Sequence, residues 1–185
     1  MAEGCIYIYT GDGRGKSPAA IGRAVQAAVE GKRVVIIQFL KGKGLEDSDF
    51  LRRMEPEIKL FRFEKSDSNF AELPEEKKQE EIQNIRNGIG FAKKVLTTGE
   101  CNLLILDEVL GLVEKDIITV DTLKTLLECR GDTDVILTGI TLNDEICVLA
   151  DEVSRIETVK FKRIEYHDGN RQGAHNGNRH TPCHR

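Results

Sequence analysis

A chain of 185 residues is long enough to enclose a sizeable core in one domain, and its 31% charged and 39% hydrophobic residues are the ordinary balance of a soluble globular protein. A formal charge of −4, with no basic block before the tail, argues against nucleic acid as the main partner. The longest apolar run, "VVIIQFL", is far too short to cross a bilayer, and "MAEGCIYIYTG" lacks the basic segment, apolar stretch and cleavage site of a secretion signal, so no membrane partner is expected. The five cysteines, Cys5, Cys101, Cys129, Cys147 and Cys183, are widely spaced, odd in number and without a CxxC pair, as expected of reduced thiols in a cytoplasm.

In chain order, "CIYIY" reads as a first strand and runs into the glycine-rich "TGDGRGKS". "SPAAIGRAVQAAVEG" reads as a helix with Pro18 in its first turn, where a missing N–H costs little, and Gly31 as its stop. "RVVIIQF" is a second strand and "KLFRF" a shorter third, with the loop "KGKGLEDSD" between them and "EKSDSNFAELPEE" after the third. Between Pro74 and Gly99 the residues Ile82, Ile85, Ile89, Ala92 and Leu96 recur at steps of three and four, which predicts a helix weakened by Gly88 and Gly90. "NLLIL" is a fourth strand and "DVILTG" a fifth, separated by the helix candidate "TVDTLKTLLECRG". "TLNDEICVLADEV" reads as a last helix. Near-continuous apolar strands alternating with helices predict an α/β fold, a mostly parallel sheet sandwiched between helices, with its ligand site at the strand ends. Residues 1–165 form the expected single domain. Residues 166–185, rich in Gly, Asn, His and Arg and poor in apolar residues, hold His167, His175, His180, His184 and Cys183 and read as a disordered tail.

The turn after the first strand carries the chemistry. A phosphate loop GxxxxGK[ST] surrounds anionic oxygens with backbone N–H groups at a helix N-terminus. Gly15-Lys16-Ser17 fit its end, but the first glycine falls at Gly11 where the spacing would put Thr10, so the loop is one residue short. Lys16 would reach phosphate oxygens and Ser17 a Mg²⁺ ion. Asp107 and Glu108, closing "NLLILDE", would be the metal side of the same site. A tight structural turn is the competing reading of the glycines. No Asn-Lys pair speaks for guanine recognition, and Arg52, Arg53 and Arg62 do not form a compact lid cluster.

"YTGDGRGKSPAAIGRAVQAA", "VVIIQFLKG", "NLLILDEV", "DVILTG" and "LADEV", in this order from about Ile6 to Ile156, resemble the ATP:corrinoid adenosyltransferase family. The resemblance implies a P-loop NTPase-like (RecA-like) fold and a homodimeric, Mg²⁺-dependent enzyme. It implies transfer of the 5′-deoxyadenosyl group of ATP to the cobalt(I) of a corrinoid, made available by a flavin-type reductant. In this family ATP lies in the reversed sense, its 5′-carbon facing the nucleophile. Carried over, the nucleotide site comprises Gly11, Asp12, Gly13, Arg14, Gly15, Lys16, Ser17, Pro18 and Lys41, the metal site Ser17, Asp107 and Glu108, and the catalytic pair Lys16 and Glu108. The chain departs from the family in having Pro18 where Thr is common, Ile140 where Arg is usual, and no Trp; Phe61, Phe63 and Phe70 either line the corrinoid face or belong to the core. A P-loop ATPase or phosphotransferase, and a nucleotide-binding regulatory module without catalysis, are the alternative functions.

Overall fold

A computed structural model describes residues 3–40, 53–63 and 70–159. Lys41, the loop at 41–49, the start of the loop after the third strand and the whole of 166–185 lie outside the described residues. The elements are β1 (Ile6–Thr10), α1 (Lys16–Val29), β2 (Val34–Gln38), β3 (Ile58–Arg62), a 3₁₀ turn at Phe70–Glu72, α2 (Glu75–Thr98), β4 (Leu103–Asp107), α3 (Val109–Glu114), α4 (Val120–Leu127), β5 (Asp134–Thr138), α5 (Asp144–Cys147) and β6 (Glu152–Arg155).

The strands form one sheet in the order β3-β2-β4-β5-β1-β6, every pair parallel. Because successive strand residues point to opposite faces, each apolar run feeds two cores at once. Val35, Ile37, Leu104, Leu106, Val135 and Leu137 pack with α2, α3, α4 and α5. Val34, Ile36, Leu103, Ile105 and Ile136 pack with Ala20, Ala24 and Ala27 of α1 on the other face. Those alanines recur at helical spacing and have no bulk beyond Cβ, so α1 lies close against the sheet. This is the expected α/β sandwich, with β2 and β4 buried along their whole length.

The helix predicted between Pro74 and Gly99 is present. Gly99 adopts φ 62° at its end, and Glu100 N–H closes back on Val95 O at 3.2 Å, a stop that favours glycine. Gly88 lies inside for a packing reason: a Cβ there would sit 2.6 Å from Phe63 Cγ. Phe61, Phe63 and Phe70 are half-buried against the larger core, the first two with ring centroids 4.6 and 5.7 Å from Phe91. The core reading of these rings is therefore the one the structure favours.

One expectation is overturned. "TLNDEICVLADEV" is not a single helix: only Asp144–Cys147 is helical, capped by Asn143, whose side-chain oxygen accepts from Ile146 N at 2.8 Å. The chain then extends into β6, which adds to the edge of β1. Ile6 N donates to the Asp151 carboxylate at 2.7 Å and Asp151 N to Ile6 O at 2.9 Å, which sets the register of that pairing. As an exposed edge strand β6 needs no apolar run, and so leaves no trace in the hydrophobic pattern.

Candidate functional site

The carboxyl ends of β1, β4, β5 and β2 meet the N-terminus of α1, and the short glycine loop is fastened between them. Thr10 Oγ1 donates to Ile140 O at 2.9 Å, and Gly11 N to the same oxygen at 3.3 Å. Ile156, just after β6, donates its N–H to Thr10 O at 2.8 Å and accepts from Gly13 N at 3.0 Å. That backbone lies so close that a Cβ on Gly11 (φ 112°) would stand 2.3 Å from Ile156 O, and one on Gly13 2.8 Å from it. The two glycines are thus required by a neighbouring segment as well as by the turn. Position 140 serves through its carbonyl, while its side chain is 58% exposed.

With Gly11 and Gly13 N–H spent on the protein, the loop's remaining anion-binding capacity is at its helix end. α1 begins at Lys16 with no side-chain cap and no acidic residue in its first turn, which leaves its first N–H groups uncapped by its own side chains. Ala19 N to Gly15 O, 2.8 Å, is the first helical bond, so Pro18 gives up no hydrogen bond by lacking an N–H. Asp12, Arg14 and Pro18 are exposed at this rim, and Gly15 is half-exposed. Lys16 is 6% exposed, and its Nζ donates to Gly11 O at 2.8 Å and Gly13 O at 2.9 Å. The two loop carbonyls partner the buried ammonium without any bound anion. An ammonium has three donors, so one is left to meet an incoming oxygen.

The second half of the site is a row across the sheet. Pairing places Arg62, Gln38 and Asp107 opposite one another, and Leu106 opposite Leu137 brings Asp107 level with Thr138. All four share strand parity with the residues that face α1. Asp107, 2% exposed, accepts from Ser17 Oγ at 2.8 Å and Thr138 Oγ1 at 2.7 Å on Oδ1, and from Gln38 Nε2 at 3.0 Å on Oδ2. Donors on both oxygens of this buried carboxylate fix its plane. Thr138 Oγ1 in turn accepts from Glu108 N at 2.8 Å. Glu108 is held at φ 62°, ψ 19° as it starts α3, a left-handed conformation that costs a non-glycine residue about 1 kcal/mol. Tyr9, beside Thr138 in register, has its phenol pushed up mainly by burial and stays neutral.

Ser17, Asp107 and Glu108 offer oxygen donors alone, the set a hard cation takes. Ser17 uses its hydroxyl proton on Asp107, so toward a cation it acts as an acceptor. Among the described residues no group of three or more His, Cys, Asp or Glu stands together. A site of one or two carboxylates completed by phosphate and water is what Mg²⁺ uses, so the residues present fit it. On the other side of the loop a cleft of about 510 Å³ opens between Thr10, Gly11, Asp12, Ile140, Val153 and Arg155.

The structure therefore brings Lys16, Ser17, Asp107 and Glu108 into one neighbourhood, with Gly11, Asp12, Gly13, Arg14, Gly15 and Pro18 around it. Sequence reasoning passed over Gln38, Thr138 and the backbones of Ile140 and Ile156. Gln38 and Thr138 did carry a signal: each is the polar residue that closes an apolar strand, as Asp107 is.

The family model of ATP:corrinoid adenosyltransferase BtuR/CobO/CobP matches residues 2–173. A corrinoid adenosyltransferase of Escherichia coli K12 is 30% identical over 159 residues, 85% of this chain and 79% of that protein. Corrinoid adenosyltransferase CobA of Salmonella typhimurium is 29% identical over the same shares. The corrinoid adenosyltransferase of Pseudomonas aeruginosa is 24% identical over 85% of this chain and 77% of its own. Among solved structures a KaiC-like protein of Pyrococcus horikoshii superposes with a TM-score of 0.50 at 19% identity, covering 89% of this chain and 77% of that one. That likeness bears on fold alone and agrees with a RecA-like P-loop sheet, in which β5 separates the loop strand from the acidic strand.

Proposed function

The chain belongs to the ATP:corrinoid adenosyltransferase family, and from that premise we propose that it transfers the 5′-deoxyadenosyl group of ATP to the cobalt(I) of a corrinoid and releases triphosphate. The observation that carries this reading onto particular residues is the joined cluster Lys16, Ser17 and Asp107. It sets a cation, a hydroxyl and a buried carboxylate at the uncapped N-terminal end of α1. In the proposed reaction the cobalt(I) electron pair attacks C5′, the C5′–O bond breaks, and its electrons leave on triphosphate. No proton need move at the reacting carbon. The protein's task is to align and to stabilise charge on the departing oxygens.

Lys16 is assigned to the triphosphate, which it meets with the N–H donor not used on Gly11 O and Gly13 O. The α1 N-terminus adds its N–H donors. Ser17 and Asp107, with Glu108, would hold Mg²⁺, which when bound supplies charge neutralisation on the leaving group. Thr138 and Gln38 keep Asp107 from rotating. The short loop, with two of its N–H groups tied to Ile140 and Ile156, supports a triphosphate seated in the reversed sense, so that the ribose carbon lies toward Asp107 and the corrinoid. A homodimer, a flavin-type reductant, a cytoplasmic location and a role for Lys41 belong to the same proposal. So do a catalytic unit of residues 1–165 and a tail, 166–185, dispensable for ATP binding. Among the described residues no helix is long and apolar enough to cross a membrane.

The test is incubation with ATP, Mg²⁺ and a chemically reduced corrinoid. Triphosphate and a light-sensitive cobalt–carbon product are expected, and both should disappear in Lys16→Ala. ADP and orthophosphate as products, or unchanged turnover in that variant, would overturn the assignment.

A further inference from the structure

Gln38 is 1% exposed and uses only half of its amide. Its Nε2 donates to Asp107 Oδ2 at 3.0 Å, while its Oε1 is buried with no hydrogen-bond partner among the described residues. Turning the amide over would not help, because it would press Oε1 against the carboxylate. Asp107 thus fixes which end of Gln38 is unmet, and the unmet atom is an acceptor. A buried acceptor without a donor is unfavourable, and native proteins keep few of them. An O–H or N–H donor would satisfy it, whereas an unprotonated phosphate oxygen would not. Gln38 lies on β2, next to Asp107 and one strand further from the loop strand β1. In the proposed reversed seating, that is the side to which the ribose comes.

We propose that Gln38 is a positioning and specificity residue for the bound nucleotide: Nε2 holds Asp107, and Oε1 accepts a hydrogen bond from an O–H group that arrives with MgATP. Two carriers share this chemistry, a ribose hydroxyl and a water on the metal. The inference rests on the nucleotide reading of the site but not on adenosyl transfer, so binding measurements separate the two.

The experiment is calorimetric titration of the full chain with ATP, 2′-deoxy-ATP and 3′-deoxy-ATP, each with and without Mg²⁺, for wild type and Gln38→Leu. Gln38→Met, which keeps the unbranched shape, takes its place if the leucine variant does not fold. If a ribose hydroxyl is the donor, wild type prefers ATP over one deoxy analogue by roughly three- to ten-fold, the worth of one hydrogen bond, and the variant loses that preference. If metal-bound water is the donor, the three nucleotides bind alike. The variant then loses roughly three- to ten-fold of the Mg²⁺-dependent gain in affinity, and metal-free ATP binding is unmoved. A folded variant that changes neither the nucleotide ratio nor the Mg²⁺-dependent gain overturns the proposal. Wild type that binds no ATP overturns it together with the function; binding without adenosyl transfer sinks only the function.

Discussion

Thr138→Val removes a hydroxyl that holds the site from two sides while keeping the shape of the side chain. Thr138 is 0% exposed, donates to Asp107 Oδ1 at 2.7 Å and accepts from Glu108 N at 2.8 Å. A hydrogen bond to an ionised carboxylate is worth about 1.5–3 kcal/mol, and a neutral one about 0.5–1.5. Glu108 is only half-buried, so water can replace part of the second bond, and no cavity is opened. The expected loss is therefore about 2–4 kcal/mol. With a urea m-value near 2 kcal/mol/M, the unfolding midpoint should fall by roughly 1–2 M. The same change in an Asp107→Asn background should cost at least about 1 kcal/mol less, because the charge that made the first bond strong is gone. A midpoint shift equivalent to less than about 0.5 kcal/mol, or costs that add to within about 0.5 kcal/mol, would show that Thr138 does not hold Asp107 as described.

Two glycines of α2 should respond in opposite directions. A Cβ at Gly90 meets nothing within 4 Å, so Gly90→Ala should stabilise by about 0.5–1 kcal/mol in urea unfolding. Gly88→Ala should destabilise, since its Cβ would press on Phe63 and Phe39 at 2.6 and 2.8 Å; equal effects would contradict the packing. At position 108 the left-handed backbone favours glycine, so Glu108→Gly should be about 1 kcal/mol more stable than Glu108→Ala while both lose triphosphate release. A more stable alanine variant would refute the strain. Burial pushes the Cys101 thiol up to about 12, so a maleimide at pH 8 should label Cys5, Cys129 and Cys147 before Cys101, as peptide mapping would read. The folded state binds that proton more tightly than the unfolded chain, so from pH 9 upward Cys101 should lower stability by up to about 1.4 kcal/mol per pH unit. Cys101→Val should flatten that slope, and an unchanged slope would show the thiol is not the cause.

The five apolar runs read from the sequence are β1 to β5, within a residue at each end. Burial on both faces of a parallel sheet demands continuous hydrophobicity, and continuous hydrophobicity is visible in one dimension. Helix stops at Gly31 and Gly99 and the Lys16-Ser17 turn were legible for similar reasons: each rests on contacts between near neighbours in the chain. β6 was hidden because an exposed edge strand needs only a partner's backbone. The partners of Asp107 were hidden as well, since Gln38, Thr138 and Ser17 lie 69, 31 and 90 positions away. Strand register decides that they meet, and register is a property of the assembled sheet. The short loop shows the division most plainly. Its glycines were evident from Gly11 to Gly15, yet the close approach of Ile156 that demands two of them comes from a segment whose pairing the sequence did not disclose.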